Sequence, residues 1–134
     1  MPRETINPKS MYDAVSYGFS HATRSSSRTV IHCAGQVAWD DSGALVGAGD
    51  LAAQAAQAFR NLKKVLAEAG AKPADVVRMR TYVVDHSPDK LETIGRAIQE
   101  FYDGALPAAN TLIGVQCLAL PEFLIEIEVT AMVD

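Results

Sequence analysis

Residues 110–134 read NTLIGVQCLALPEFLIEIEVTAMVD, and the alternation in the second half of this stretch decides how the chain is organised. Side chains along a strand point to opposite faces with period two. Ile125, Ile127, Val129, Ala131 and Val133 therefore share one face, and Leu124, Glu126, Glu128, Thr130 and Met132 share the other. The first set is a core face. The second mixes two carboxylates with large apolar groups, which suits either a solvated surface or the wall of a partly apolar cleft. With the β-branched run 111–117 on the other side of the turn at Pro121, the stretch predicts two adjacent strands.

Upstream of this pair the periodicity changes to that of helices. Residues 51–69 have Asp50 as N-cap, good helix formers throughout and Gly70 placed to end the helix. Ala55, Phe59, Leu62, Val65 and Leu66 make the buried stripe, while Gln54, Gln57, Arg60, Lys63 and Lys64 fall away from it. Residues 73–75 introduce a long strand over 76–84, with Val77, Met79, Thr81 and Val83 on one face and Arg78, Arg80 and Tyr82 on the other. Ser87 and Pro88 then read as N-cap and first position of a second helix running to about Tyr102, with Leu91, Ile94, Ala97, Ile98 and Phe101 as its stripe. Nearer the N-terminus, the strand-like runs 15–22 and 29–39 flank a polar hinge and suggest a hairpin, and residues 1–14 read as an arm or short edge element.

The order is strand, strand, helix, strand, helix, strand, strand. Two helices with one apolar stripe each cover only one face of a sheet, so the expected architecture is α+β, two-layer, in one domain spanning 1–134. The uncovered face carries Tyr82, Leu124 and Met132, and a contiguous apolar patch of that kind predicts self-association through it.

Composition narrows the function. A net charge of −4 and a pI near 5.3 count against nucleic acid as a main partner, because that binding draws its affinity from clustered Lys and Arg. The basic cluster of Arg24 and Arg28 reads as a solvated turn. No apolar run approaches the length of a membrane span, and no signal peptide is visible. Cys33 and Cys117 both lie in apolar runs and read as reduced core thiols, which fits a cytoplasmic setting. His21, His32 and His86 show no metal-ligand spacing with the cysteines, so no metal site is expected. Neither a phosphate-loop pattern nor a nucleophilic triad is present. On periodicity alone, Glu126 reads as a solvated or salt-bridged strand residue more readily than as a catalytic acid.

The segments HCAGQ (32–36), QAFRNLKKVLAEAG (57–70), ADVVRMRTYVVD (74–85), PAANT (107–111) and LIEIEVTA (124–131) together resemble the RidA/YjgF family, from about residue 15 to the C-terminus. The resemblance implies a chorismate-mutase-like β-β-α-β-α-β-β protomer and a homotrimer whose sheets form a central barrel. It implies ligand clefts at the subunit interfaces, and hydrolysis of reactive 2-imino or 2-enamino acids without metal or organic cofactor. By the same resemblance, Glu126 matches the acid that positions the hydrolytic water, Gly35 the glycine whose backbone approaches the ligand, and Ala34 a position often held by serine. Phe19, in GFSHA, takes the place of a tyrosine. The family's substrate-clamping arginine belongs to a PARS or PART motif. Here the stretch is PAAN, so Ala109 stands in its place, and Gly95 replaces a cleft asparagine. Substrate recognition is thus expected to be non-standard, with Asn110 and Thr111 as neutral polar contacts and Arg80 as a substitute cation, although an inter-strand or inter-subunit ion pair, as with Glu126 or Glu128, is the more ordinary reading of Arg80. Two rivals follow: a non-catalytic ligand-binding or regulatory trimer, and an RNA-cleaving or translation-inhibiting protein.

Overall fold

The computed structural model describes residues 3–134; residues 1 and 2 of the expected arm lie outside them. Among the described residues, strands β1 (Arg3–Ile6) and β2 (Ala22–Ser25) pair antiparallel as a small sheet. The main sheet has the order β3-β6-β4-β5, from β3 (Thr29–Gln36), β4 (Val76–Val84), β5 (Ala109–Val115) and β6 (Ile125–Val133). Helices α1 (Leu51–Glu68) and α2 (Leu91–Tyr102) cover one face of it. The architecture is the expected two-layer α+β arrangement.

The core forms where the helix stripes meet the inward set of β6. Ile125, Ile127, Val129 and Ala131 are buried against Leu62, Leu66, Met79, Val83, Ile98 and Phe101. Burying side chains of this size contributes about 1.5–3 kcal/mol each, which makes the alternation of β6 a strong determinant of register. Asp50 caps α1 by accepting the Ala53 N–H at 3.1 Å, and Gly70 follows the helix with φ of +77°, as expected of a C′ glycine.

Several sequence expectations are corrected. β5 and β6 are not neighbours: β5 pairs parallel with β4, and β6 lies between β3 and β4. The α2 crossover between β4 and β5 makes the parallel pairing possible, and β6, whose inward side chains are all small or branched, takes the central slot. Residues 15–22 do not form a strand; Val15–Tyr17 is a 3-10 turn, and Tyr17 and Phe19 pack edge-to-face with Tyr12 instead of across a ladder. The hairpin with residues 29–39 is absent, since β2 pairs with β1, and β3 ends at Gln36 after a bulge. Ser87 does not cap α2 with its side chain; its hydroxyl bonds Asp89, a short 3-10 turn intervenes, and Leu91 is exposed. Cys117 is exposed in the loop after β5, whereas Cys33 is buried.

On α1, Val65 is exposed while Gln54 and Gln57 are buried. Gln54 sits on the i, i+4 row of Ala58, Leu62 and Leu66, so the helix turns it inward. Its amide nitrogen donates to the carbonyls of Gly47 (3.1 Å) and Glu122 (3.0 Å), and its oxygen accepts the Leu124 N–H (2.9 Å). A buried polar group with its bonds made holds the chain at the start of β6, two residues from Glu126.

At the other edge, Arg3 donates to the carbonyls of Val76 (2.7 Å) and Leu106 (2.5 Å), tying β1 to the main sheet. The Thr23 hydroxyl bonds the Val77 carbonyl and accepts the Ala109 N–H at 3.3 Å. These bonds fix the N-terminal sheet beside the first residues of β5.

Candidate functional site

Glu126 is on the uncovered face of the sheet, opposite Tyr82 of β4. β3 bulges between Cys33 and Gln36, and the bulge brings Gly35 under the Glu126 side chain. A Cβ at residue 35 would stand 2.7 Å from Cδ and 2.8 Å from Cγ of Glu126, closer than non-bonded atoms approach. The glycine is therefore a steric requirement of the carboxylate's position. Ala34 beside it is exposed, and its carbonyl accepts from the Gln36 side chain at 3.1 Å.

One strand over, the Tyr82 hydroxyl donates to Glu128 Oε1 at 2.5 Å. The bond to Glu128, and then burial, pushes the Tyr82 phenol above its ordinary value, with the neighbouring Arg80 opposing. Arg80 pairs in register with Glu128, yet its guanidinium lies beside the tyrosine and not in an ion pair; among the described residues the ion pairs are Arg24–Glu4 and Arg96–Glu92. A hollow of about 220 Å³ opens here, lined by His32, Arg78, Arg80, Glu128 and Thr130.

Asn110 faces the other way. Its side-chain oxygen accepts from the buried Thr81 hydroxyl at 3.3 Å, which places it on the helix side of the sheet. It lines an open groove of about 1360 Å³ with Phe19, Thr111, Gly95, Ile98 and Tyr12. Tyr12 packs edge-on against Phe19 (6.4 Å between centroids) and His21 (4.7 Å), and its carbonyl bonds the His21 ring at 2.9 Å.

The structure thus sorts the residues singled out in the sequence into two groups. Glu126, Gly35 and Ala34 meet at the β3 bulge; Phe19 and Asn110 meet in the groove under α2, which Thr111 borders although its pairing with Arg80 turns it to the open face; Arg80 shares that face with Glu126, in the hollow. Sequence reading missed Gln54, the Tyr82–Glu128 bond and the part played by Tyr12. The first was detectable from the helical row it occupies. The bond depends on pairing register between distant segments, which periodicity does not give. Among the described residues no group of three or more His, Cys, Asp or Glu side chains is placed to hold a metal, and no helix is long and apolar enough to cross a membrane.

Two helices on one face of a mixed sheet, with a strand glutamate folded over a glycine on the open face, define a small α+β protein whose candidate site residues lie on two separate surfaces. The family model described as Endoribonuclease L-PSP matches residues 11–133. The chain is 59% identical to YyfB from Yersinia pestis, a protein of unknown function of the conserved Rid protein family, over 99% of this chain and 100% of that one, with a TM-score of 0.97. A member of the YjgF/YER057c/UK114 family from Mycobacterium tuberculosis is 28% identical over 98% and 99% of the two chains, with a TM-score of 0.64. YyfA from Yersinia pestis, at 23% identity over 98% and 99%, shares the fold with a TM-score of 0.70. The chain belongs to the Rid/YjgF family.

Proposed function

We propose that this protein is a Rid-type hydrolase that deaminates an imine, enamine or related reactive metabolite, in clefts formed between copies of itself in a homotrimer. The observation that carries the reading is Glu126, whose carboxylate is seated over the Gly35 backbone on the open sheet face. Asn110 and Glu126 lie on opposite faces of one sheet, so a cleft containing both needs two copies. On the open face Val30 is exposed and Tyr82, Leu124 and Met132 are half-buried among the polar groups, and these apolar side chains support association through it.

Hydrolysis of a protonated imine begins when water adds to the C=N carbon. Glu126 takes the proton from the attacking water, whose oxygen forms the new C–O bond. The carboxylic acid then returns that proton to nitrogen, and the carboxylate takes the remaining hydroxyl proton as the carbonyl forms and the C–N bond breaks; that proton leaves with the ammonia as ammonium. The backbone of Gly35 borders the reacting centre, while Phe19, Asn110 and Thr111 of a second copy hold the rest of the substrate. With Ala109 in the clamp position, the favoured substrate lacks a carboxylate or presents it to Arg80. The free thiols of Cys33 and Cys117 suit a reducing, cytoplasmic setting.

Imines generated in situ from amino acids and from amines test the reading by ammonia release. Wild type should exceed buffer, and Glu126→Gln should fall to the buffer rate; equal release from all three would sink the enzyme reading for those substrates. Ala109 favours a second reading, a ligand-binding trimer without catalysis, and saturable binding of an imine analogue without turnover would select it. An RNA-cleaving role, as the family description suggests, fits poorly with the net charge of −4. Cleavage of labelled RNA at low salt by wild type would reinstate it.

A further inference from the structure

Of the residues lining the hollow on the open sheet face, only Arg80 enters the chemistry above, as the group to which a substrate carboxylate would be presented. The hollow lies where two cross-strand rows run side by side: His32, Thr130 and Arg78 form one, and Glu128, Arg80 and Thr111 the other. Arg78 and Arg80 are both exposed, and neither has a carboxylate within ion-pairing distance among the described residues. The Glu128 carboxylate between the rows is engaged by the Tyr82 hydroxyl at 2.5 Å. His32 is held through Nδ1 by the Thr130 hydroxyl at 3.2 Å, which fixes the ring beside the guanidinium groups. Two cations therefore outweigh one committed carboxylate around a concavity of about 220 Å³.

We propose that this hollow binds a phosphate-class dianion. Guanidinium groups two residues apart on one strand face are separated by about 7 Å along the strand, so a tetrahedral dianion between them can accept from both forks at once. A planar carboxylate engages one fork and leaves the other without a partner. The chain as a whole is acidic, at −4, which disfavours a polyanion and leaves a small one as the occupant. The hollow is also on the face through which we propose that copies associate, where a bound dianion would offset repulsion between the arginines of neighbouring copies. The site stands on the cationic cluster alone and does not require the deaminase reading.

Isothermal titration of the full chain at low salt, with inorganic phosphate, a sugar phosphate and acetate as probes and no imine present, tests the site. One saturable phosphate site per chain is expected. Arg78→Gln and Arg80→Gln should each weaken it by about tenfold or more, the loss of charge-assisted bonds, while Arg24→Gln binds as wild type. Glu128→Gln keeps an acceptor for Tyr82 but removes the opposing charge, and should tighten binding, a gain that a misfolded variant cannot mimic. Phosphate bound with the sugar phosphate excluded assigns the hollow to the free ion; both bound assigns it to phosphomonoester metabolites. Absence of saturation at ~20 mM phosphate, acetate binding as tightly as phosphate, or wild-type affinity in the double Arg78→Gln, Arg80→Gln variant would each overturn the proposal.

Discussion

The carboxylate of Glu126 stands in the space that a side chain on Gly35 would fill. The two residues come from strands separated by most of the chain and meet because β3 bulges where it passes β6. A glycine with no turn to make is thereby tied to the placement of one acid.

Gly35→Ala should act on the chemistry more than on the fold. The added methyl meets the flexible end of Glu126, which can swing aside, so the cost in stability is about 1 kcal/mol or less. Displacing the base by an ångström or so should lower kcat/KM for imine hydrolysis by about 10–100-fold. Steady-state ammonia release beside a thermal melt checks the two halves of the prediction, and an unchanged kcat/KM would detach Gly35 from the site.

Ala109→Arg should restore what PAAN lacks. Ala109 opens β5 opposite Arg78, and its N–H is already held by Thr23 at 3.3 Å, so the new side chain starts from a fixed backbone. Imines that carry a carboxylate should gain about 10–100-fold in kcat/KM from a charge-assisted contact, and uncharged imines should gain nothing. Competition between the two substrate types in one reaction reads the difference directly.

Gln54→Leu preserves helix propensity and size but strands the carbonyls of Gly47 and Glu122 and the N–H of Leu124. With about 1–3 kcal/mol for each buried group left unpaired, partly recovered by relaxation, the variant should lose about 2–4 kcal/mol in urea unfolding. A loss under about 0.5 kcal/mol would mean that the three groups find water instead.

Tyr102 gives the fold an alkaline limit. Burial pushes its phenol up to about 12 from 10.0, only partly opposed by the Ala108 N–H that its oxygen accepts at 3.2 Å and by the nearby Arg3 charge. A raised folded value means the contribution is intact below pH 10, where both states are protonated. It is lost as pH climbs towards 12, because the unfolded state ionises first. Wild type should lose about 2–3 kcal/mol over that window from this group, and Tyr102→Phe should flatten the decline. Unfolding free energies measured from pH 9 to 12 in both proteins supply the comparison.

What the sequence disclosed follows from which interactions are local. The α1 caps and the alternation of β6 are written in neighbouring residues, so Asp50, Gly70 and the Ile125 to Ala131 face were legible at once. Gln54 was misassigned because polarity was weighed above its helical row. The β5–β6 adjacency failed because chain proximity is a poor guide where a crossover helix lets β5 pair parallel with β4. For the site, Glu126, Gly35, Ala34, Phe19, Asn110, Thr111 and Arg80 were all named from sequence and family resemblance. Their division between two faces of the sheet was not legible, because it depends on register between segments far apart in the chain.

The position of β6 also bears on how the protein is made. β3 and β4 share no edge, and only β6, the latest of the four strands in chain order, joins them. A nascent chain that has emerged as far as residue 124 holds β4 and β5 as a parallel pair, with β3 detached and the inner faces of α1 and α2 uncovered. Folding of the main sheet thus waits for residues 125–133 to emerge, and the long loop closure it then requires makes this step slow compared with helix formation. During that interval the open edges of β3 and β4 are available to any other unfinished strand, so the growing chain is most exposed to aggregation just before β6 leaves the ribosome.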